Sequence, residues 1–142
     1  MEIDKRIIEF IKEHHVLSLS TAVNNKPYSC NCFYAYDSKN KVFICTSDEE
    51  TKHIKDLKQN NFVSASIVLE TSVVGKIRGL QINGFMHKAV DETLKKYKTV
   101  YLKKFPFAIL KNTALWYIEP TFLKFTDNRL GFGKKIIWGK AD

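Results

Sequence analysis

Long apolar runs are missing from this sequence. No stretch of the 142 residues approaches the ~20 apolar residues that span a bilayer. The N-terminus lacks the apolar core of a secretory signal. The expectation is a soluble, cytoplasmic protein with no membrane partner. Cysteine is scarce: three residues cannot all pair within one chain, which suits a reducing compartment. Linkers, internal repeats and low-complexity tracts are absent as well. No Ser/His/Asp or Cys/His catalytic arrangement shows around the four histidines. No pair of carboxylates stands out as a general acid and base.

Acidic residues are short in one half only. Residues 1–70 hold 9 Lys and Arg against 10 Asp and Glu, net −1; residues 71–142 hold 14 against 5, net +9. A basic half attracts nucleic acid, an anionic surface or a phosphorylated small molecule, or is simply a solvated lysine-rich face. What is plentiful is core material. With 44% hydrophobic and 13% aromatic residues, the chain can bury the interior of one domain, residues 1–142.

Residues 4–14 read as an amphipathic helix, capped by Asp4, with Ile7, Phe10 and Ile11 following Ile3 at helical spacing. Val16–Val23 alternates as a half-buried strand, and 24–27 is a turn. Tyr28–Tyr36 and Lys41–Thr46 flank the turn-forming residues 37–40, which predicts a β-hairpin. Ser47 with Glu50 three residues on forms a capping box, so a helix should follow with Ile54 and Leu57 inward. Phe62–Leu69 is another alternating strand. Gly75–Val90 is the longest β-like run, and its Gly79 and Gly84 suggest a bulge or close backbone approach. Asp91 can cap a helix carrying Leu94, Tyr97 and Tyr101 inward, ended by Phe105-Pro106. Ala114–Ile118 and Phe122–Phe125 read as short strands around Pro120, and Ile136–Trp138 as a last one. Seven or eight strands with three helices predict a mainly β (α+β) fold, an antiparallel barrel with peripheral helices. Such a chain should close or dimerise to protect its edges.

Several groups of residues can carry chemistry. A phosphate needs backbone N–H donors, a hydroxyl and a cation, which Thr46, Ser47, Thr51 and Lys52 can supply at a helix start. Asp48, Glu49 and Glu50 crowd the same turn and repel an anion, so an ordinary capped helix is the competing reading. Arg78 or the basic half would have to outweigh them. Cys30 and Cys32 share one face of a strand, and Cys45 lies on its partner. No CxxC and no His at metal spacing completes a zinc set, so no metal is expected and buried cysteine serves as a small hydrophobe. Gly131-Phe132-Gly133-Lys134-Lys135 is no Walker loop. It reads as a tight turn, or as a basic clamp beside Trp138.

The ending Lys124-Phe125-Thr126-Asp127-Asn128, then Gly131–Lys135, then Trp138, resembles the YhbP-like branch of the pyridoxamine 5′-phosphate oxidase-like, FMN-binding split-barrel family. The resemblance covers nearly the whole chain. It implies a six-stranded split barrel forming a homodimer, with FMN at each end of the interface. It carries flavin contacts onto Ser29, Cys30, Asn31, Cys32, Phe33 and Tyr34, and onto Cys45 and Thr46. It places the phosphate at Thr51 and Lys52, with Arg78 nearby and Trp138 bordering the ring from the partner. Thr51 stands where the family has Arg, and Gly79 where it has a flavin-contacting Gln. Gly139–Asp142 has no counterpart of the Arg-rich segment that grips pyridoxal phosphate. The expectation is therefore an FMN-dependent oxidoreductase or reductase, not a pyridoxamine phosphate oxidase. The alternatives are a barrel that has lost FMN or holds haem or a deazaflavin, and a basic domain that binds nucleic acid. For the last, Tyr97, Tyr101 and Phe105 interleave with lysines, a spacing that also means core packing.

Overall fold

The computed structural model describes residues 1–110 and 112–141, so Asp142 of the C-terminal segment lies outside the described residues. Its elements run α1 (Lys5–Glu13), β1 (Val16–Val23), β2 (Lys26–Asp37), β3 (Val42–Thr46), α2 (Lys52–Gln59), β4 (Phe62–Val68), β5 (Arg78–Lys88), α3 (Asp91–Lys104), β6 (Leu115–Asp127) and β7 (Lys135–Gly139). All pairings are antiparallel, in the order β3-β2-β1-β4-β5-β6-β7, and β3 pairs again with β6. That last pairing closes six strands into a barrel. β6 holds β3 through Leu115–Ile118 and then β7 through Phe122–Thr126, so one edge serves two neighbours in turn. The barrel is split at that exchange.

Alternation places the core. Leu17, Leu19 and Thr21 of β1, Val63, Ala65 and Ile67 of β4, and Leu80 and Ile82 of β5 all point inward and are buried. α1 closes this core with Ile7, Phe10 and Ile11, and Phe10 meets Phe125 of β6 at 5.0 Å between ring centroids. Burial of each such side chain stabilises by about 1.5–3 kcal/mol. The last residues of β2 and the first four of β3 are buried on both faces. Tyr34, Tyr36, Phe43 and Cys45 fill the barrel, while Ala35, Val42 and Ile44 meet Tyr97 and Tyr101 of α3 in a second cluster.

Four expectations are corrected. Pro120 does not divide two strands, because Leu115–Asp127 is continuous. Proline has no N–H to give a ladder, and among the described residues β6 has no paired strand on one edge there, since its pairing with β3 stops at Ile118 and its pairing with β7 starts at Phe122. On its other edge the register shifts between Asn83 and Gly84. A Cβ at Gly84 would strike the Glu119 carbonyl and lie 2.9 Å from Pro120 Cα, so the close approach read from this glycine is real. The turn after β1 is only Asn24-Asn25, at φ 51° and 61°, which leaves Lys26 and Pro27 inside β2. The capping box does not form either: α2 starts at Lys52 with Thr51 at the N-cap. Ser47 is tied to β6 instead, its N–H donating to the Ala114 carbonyl at 3.2 Å and its carbonyl accepting from Trp116 Nε1 at 3.0 Å. Asp91 is the first residue of α3 rather than its cap, which is Val90. Among the described residues no helix is long and apolar enough to cross a membrane.

Candidate functional site

β2 presents different chemistry on its two faces. Ser29, Asn31 and Phe33 point out of the barrel. Ser29 Oγ lies 2.8 Å from Ser20 Oγ, and Asn31 Oδ1 accepts from Ser18 Oγ at 2.9 Å. Phe33 is 61% exposed and meets Phe105 edge-on. Cys30 and Cys32 point inward, with their sulfurs 4.0 Å apart. α2 delivers His53 to them, so the two sulfurs and one ring nitrogen all lie within 4.8 Å of one another. His53 Nε2 sits 2.8 Å from Ser47 Oγ and 3.4 Å from Thr51 Oγ1. Cys45 is fully buried behind Cys32 and offers no surface to a ligand.

The thiols influence one another. The Cys30 thiol is pushed up, first by its hydrogen bond with Cys32 and then by burial, while His53 pulls it down. Cys32 is pushed up to about 12: Cys30 lowers it, but Cys45 and burial outweigh that.

The first turn of α2 lies alongside. Thr51 Oγ1 donates to the Asp48 carbonyl at 2.9 Å and caps nothing, so the helix's first N–H groups have no side-chain acceptor. Lys52 Nζ pairs with Asp56 at 3.1 Å and lies 5.0 Å from the centre of the Tyr28 ring. Asp56 is buried, accepts from Thr21 Oγ1 at 3.0 Å, and is held below the usual carboxylate range, first by Lys52. Two of the three acidic residues that crowd this turn in the sequence are drawn to lysines in space. Glu49 pairs with Lys88 and with Lys58, and Glu50 reaches Lys55 at 3.8 Å. Thr46 faces the other way, its Oγ1 3.4 Å from the Tyr101 hydroxyl beside a cavity of about 300 Å³ between β3 and α3.

Two residues of the predicted set are elsewhere in the chain. Arg78 pairs with Glu13 of α1 at 3.2 Å and lies over Phe10. Its neighbour Gly79 pairs with Val68, level with the first residues of β1, whereas Asp56 bonds Thr21 near the last. Trp138 on β7 packs against the barrel core and donates its indole N–H to the Met1 carbonyl at 3.2 Å. The structure thus gathers Cys30, Cys32, Ser47, Thr51 and Lys52, puts Ser29, Asn31 and Phe33 on the opposite face of β2, turns Thr46 toward α3, buries Cys45, and leaves Arg78 and Trp138 apart within one protomer. Sequence reasoning missed His53, whose meeting with the thiols depends on how α2 docks. The one available signal was its place in the first turn after the hairpin that carries them. The tight turn read from Gly131–Lys135 spans Gly131–Lys134, with Gly131 and Gly133 at positive φ and Phe132 86% exposed, and Lys135 already opens β7.

No protein-family model matches the chain. Relatives do, over their full length. A UPF0306 protein of Campylobacter jejuni is 37% identical over 134 residues, covering 94% of this chain and 96% of its own. The UPF0306 protein YhbP of Escherichia coli O157:H7 is 30% identical over 138 residues, covering 97% and 94%. Among solved structures, a haem-binding protein from Mycobacterium smegmatis superposes with a TM-score of 0.77 at 12% identity, over 92% of this chain and 55% of that one. An FAD-binding protein from Mesorhizobium loti gives 0.71 at 14% identity, over 87% and 94%. A Listeria innocua protein described as a candidate pyridoxamine 5′-phosphate oxidase gives 0.65 at 16%, over 84% and 94%. Identities this low speak for the fold alone. The chain belongs to the UPF0306 family, of which YhbP is a member, and is built on the pyridoxamine 5′-phosphate oxidase-like split barrel.

Proposed function

We propose that the protein is a dimeric FMN-binding oxidoreductase or reductase that does not oxidise pyridoxamine phosphate. The observation that carries this reading is the opening turn of α2. Its N–H groups are uncapped, Lys52 is its first residue with an ammonium that must swing from Asp56 to meet an anion, and the nearest glutamates are engaged by lysines. That arrangement fits the phosphate of a flavin nucleotide. Lys52 and the N–H groups would hold it, with Thr51 and Ser47 lending hydroxyls. The outer face of β2, at Ser29, Asn31 and Phe33, would edge the ring system. Arg78 and the Cys45 side chain drop out as direct contacts within the protomer. Trp138 is reserved for a partner's flavin.

The bound flavin would supply the redox chemistry, and the chain would supply position and exclusion of water. Dimerisation is supported by the exposed outer sheet face, where Val16, Phe33, Phe62, Val68 and Phe85 stand among serines. The names of the Mesorhizobium and Listeria neighbours favour a flavin, and that of the Mycobacterium neighbour makes haem the competing ligand. The nucleic-acid reading loses its aromatic support, because Tyr97 and Tyr101 are 6% and 4% exposed and cannot stack on bases.

Quenching of flavin fluorescence on titration tests the proposal. FMN should bind and riboflavin, which lacks the phosphate, should bind more weakly. Lys52→Ala should lose about ten- to a hundredfold in FMN affinity, with Lys52→Arg largely restoring it. Equal FMN affinity in wild type and Lys52→Ala would remove the phosphate assignment. A Soret band after haem addition, with no FMN binding, would replace the flavin.

A further inference from the structure

We propose that Cys30, Cys32 and His53 form a metal site for a thiophilic divalent ion, Zn²⁺ above all. Two thiolates bound at ~2.3 Å to a tetrahedral zinc ion lie about 3.8 Å apart, and the Cys30 and Cys32 sulfurs are already 4.0 Å apart. The His53 nitrogen completes a triangle with no side longer than 4.8 Å. A tetrahedral ion wants each sulfur–nitrogen separation at about 3.6 Å, so the His53 side has to close by up to roughly an ångström, through side-chain rotation, before one ion reaches all three atoms.

The triangle is held from outside. β2 is locked to β1 from Val16↔Phe33 to Val23↔Lys26, which sets the spacing of the two cysteines. His53 Nε2 meets Ser47 Oγ, and Ser47 is pinned through its backbone to Ala114 and Trp116. A metal-binding histidine is supported through the ring nitrogen that does not take the metal, so this contact serves the site with Nε2–H donating to Ser47 and Nδ1 turned to the ion.

Charge and geometry favour a metal over a disulfide. Two thiolates neutralise a divalent ion, so a half-buried site carries no net charge. Binding exchanges two thiol protons, released to solvent, for one ion, with no change of oxidation state. A disulfide across a single residue of an extended strand would bridge Cα atoms about 6.6 Å apart, near the upper end of what the bond spans. Three protein ligands leave a fourth position for water or another small ligand, the pattern of an open rather than a closed zinc centre.

The inference shares the Ser47 hydroxyl with the flavin reading, but the thiols face into the barrel and Lys52 does not belong to the triangle, so the two can fail separately. The test is Co²⁺ titration of chelator-stripped, fully reduced protein. Wild type should give a thiolate-to-cobalt charge-transfer band with tetrahedral d–d bands, saturating at one ion per chain and displaced by Zn²⁺. Cys30→Ser and His53→Ala should each weaken Co²⁺ binding at least a hundredfold, whereas Cys45→Ala and Lys52→Ala should keep the bands. Zn²⁺ should raise the melting temperature of wild type and not that of the Cys30→Ser/Cys32→Ser protein. No thiolate–cobalt band with the thiols counted as reduced, or an unchanged band in the double variant, overturns the site. Lys52→Ala separates the two readings, since it should cost FMN binding and leave cobalt untouched.

Discussion

The surroundings of α1 and of α2 use polar side chains to opposite ends. Around α1 they fasten the fold. Asp127, 2% exposed, takes Arg129 through both oxygens at 3.0 and 2.9 Å, and Arg78 holds Glu13. Lys104, its pKa lowered by burial, spans the His14 and Tyr34 carbonyls at 2.8 and 2.9 Å. The Tyr34 hydroxyl closes on Ile11 at 2.6 Å. Around α2 the facing groups are two thiols, an imidazole and two hydroxyls. They are poor at fastening to one another and well suited to holding an ion. Charges beside α2 pair with each other and leave the helix start clear. Around α1 charged groups are tied mostly to carboxylates and backbone carbonyls, whereas around α2 the thiols and the imidazole meet through weaker contacts that an ion could replace.

If this contrast is right, substitutions near α1 should cost stability and substitutions near α2 should cost ligand. The largest effect is expected for Phe10→Ala, which empties a site that is 1% exposed against Phe125. A loss of about 3–5 kcal/mol in urea unfolding is expected, with cobalt and FMN affinity of the folded fraction unchanged.

Asp127→Asn should cost less, about 1–2 kcal/mol, because Arg129 is half exposed and the backbone hydrogen bond survives in part. Its signature is the pH profile. Asp127 is held below the usual carboxylate range, first by its hydrogen bond with Arg129. Its contribution is therefore present above the unfolded carboxylate value of about 3.9 and lost as pH falls through the lower folded value. The gap in melting temperature between wild type and Asp127→Asn should be widest near neutrality and narrow in acid. A constant gap would mean the charge is irrelevant.

Cys30→Ser should shift unfolding by less than about 1 kcal/mol, since a half-buried thiol and a hydroxyl are close in size. If it unfolds the protein as badly as Phe10→Ala, the α2 side is structural after all and the contrast fails. The smallest effect is expected for Lys88→Ala, which leaves the Glu49 carboxylate near the start of α2 held by Lys58 alone. FMN affinity should fall a few-fold at low salt, and the difference should vanish at high salt.

The readable parts of the sequence were those with one buried face. Ile7, Phe10 and Ile11 spell out α1, and Leu17, Leu19 and Thr21 spell out β1, because a single inward stripe leaves a period in the chain. The hairpin was legible from its turn residues. The continuity of β6 through Pro120 was not, because it depends on which strand stands beside each residue. Ser47 misled for the same reason: its capping pattern is local, but β6 holds its backbone in place first. The candidate site was half legible. The pairing of Cys30 with Cys32 follows from strand periodicity, while His53 arrives through the packing of α2 on β1 and β2, which no short window contains.

β3 has a consequence out of proportion to its five residues. It is a partition with a furnished room on each side: Phe43 and Cys45 project into the barrel, Val42 and Ile44 into the space beneath α3. A slip of one residue would turn both sets of furniture around together. Anyone wishing to lengthen, shorten or graft onto this protein should therefore leave Val42–Thr46 at its present length and cut elsewhere.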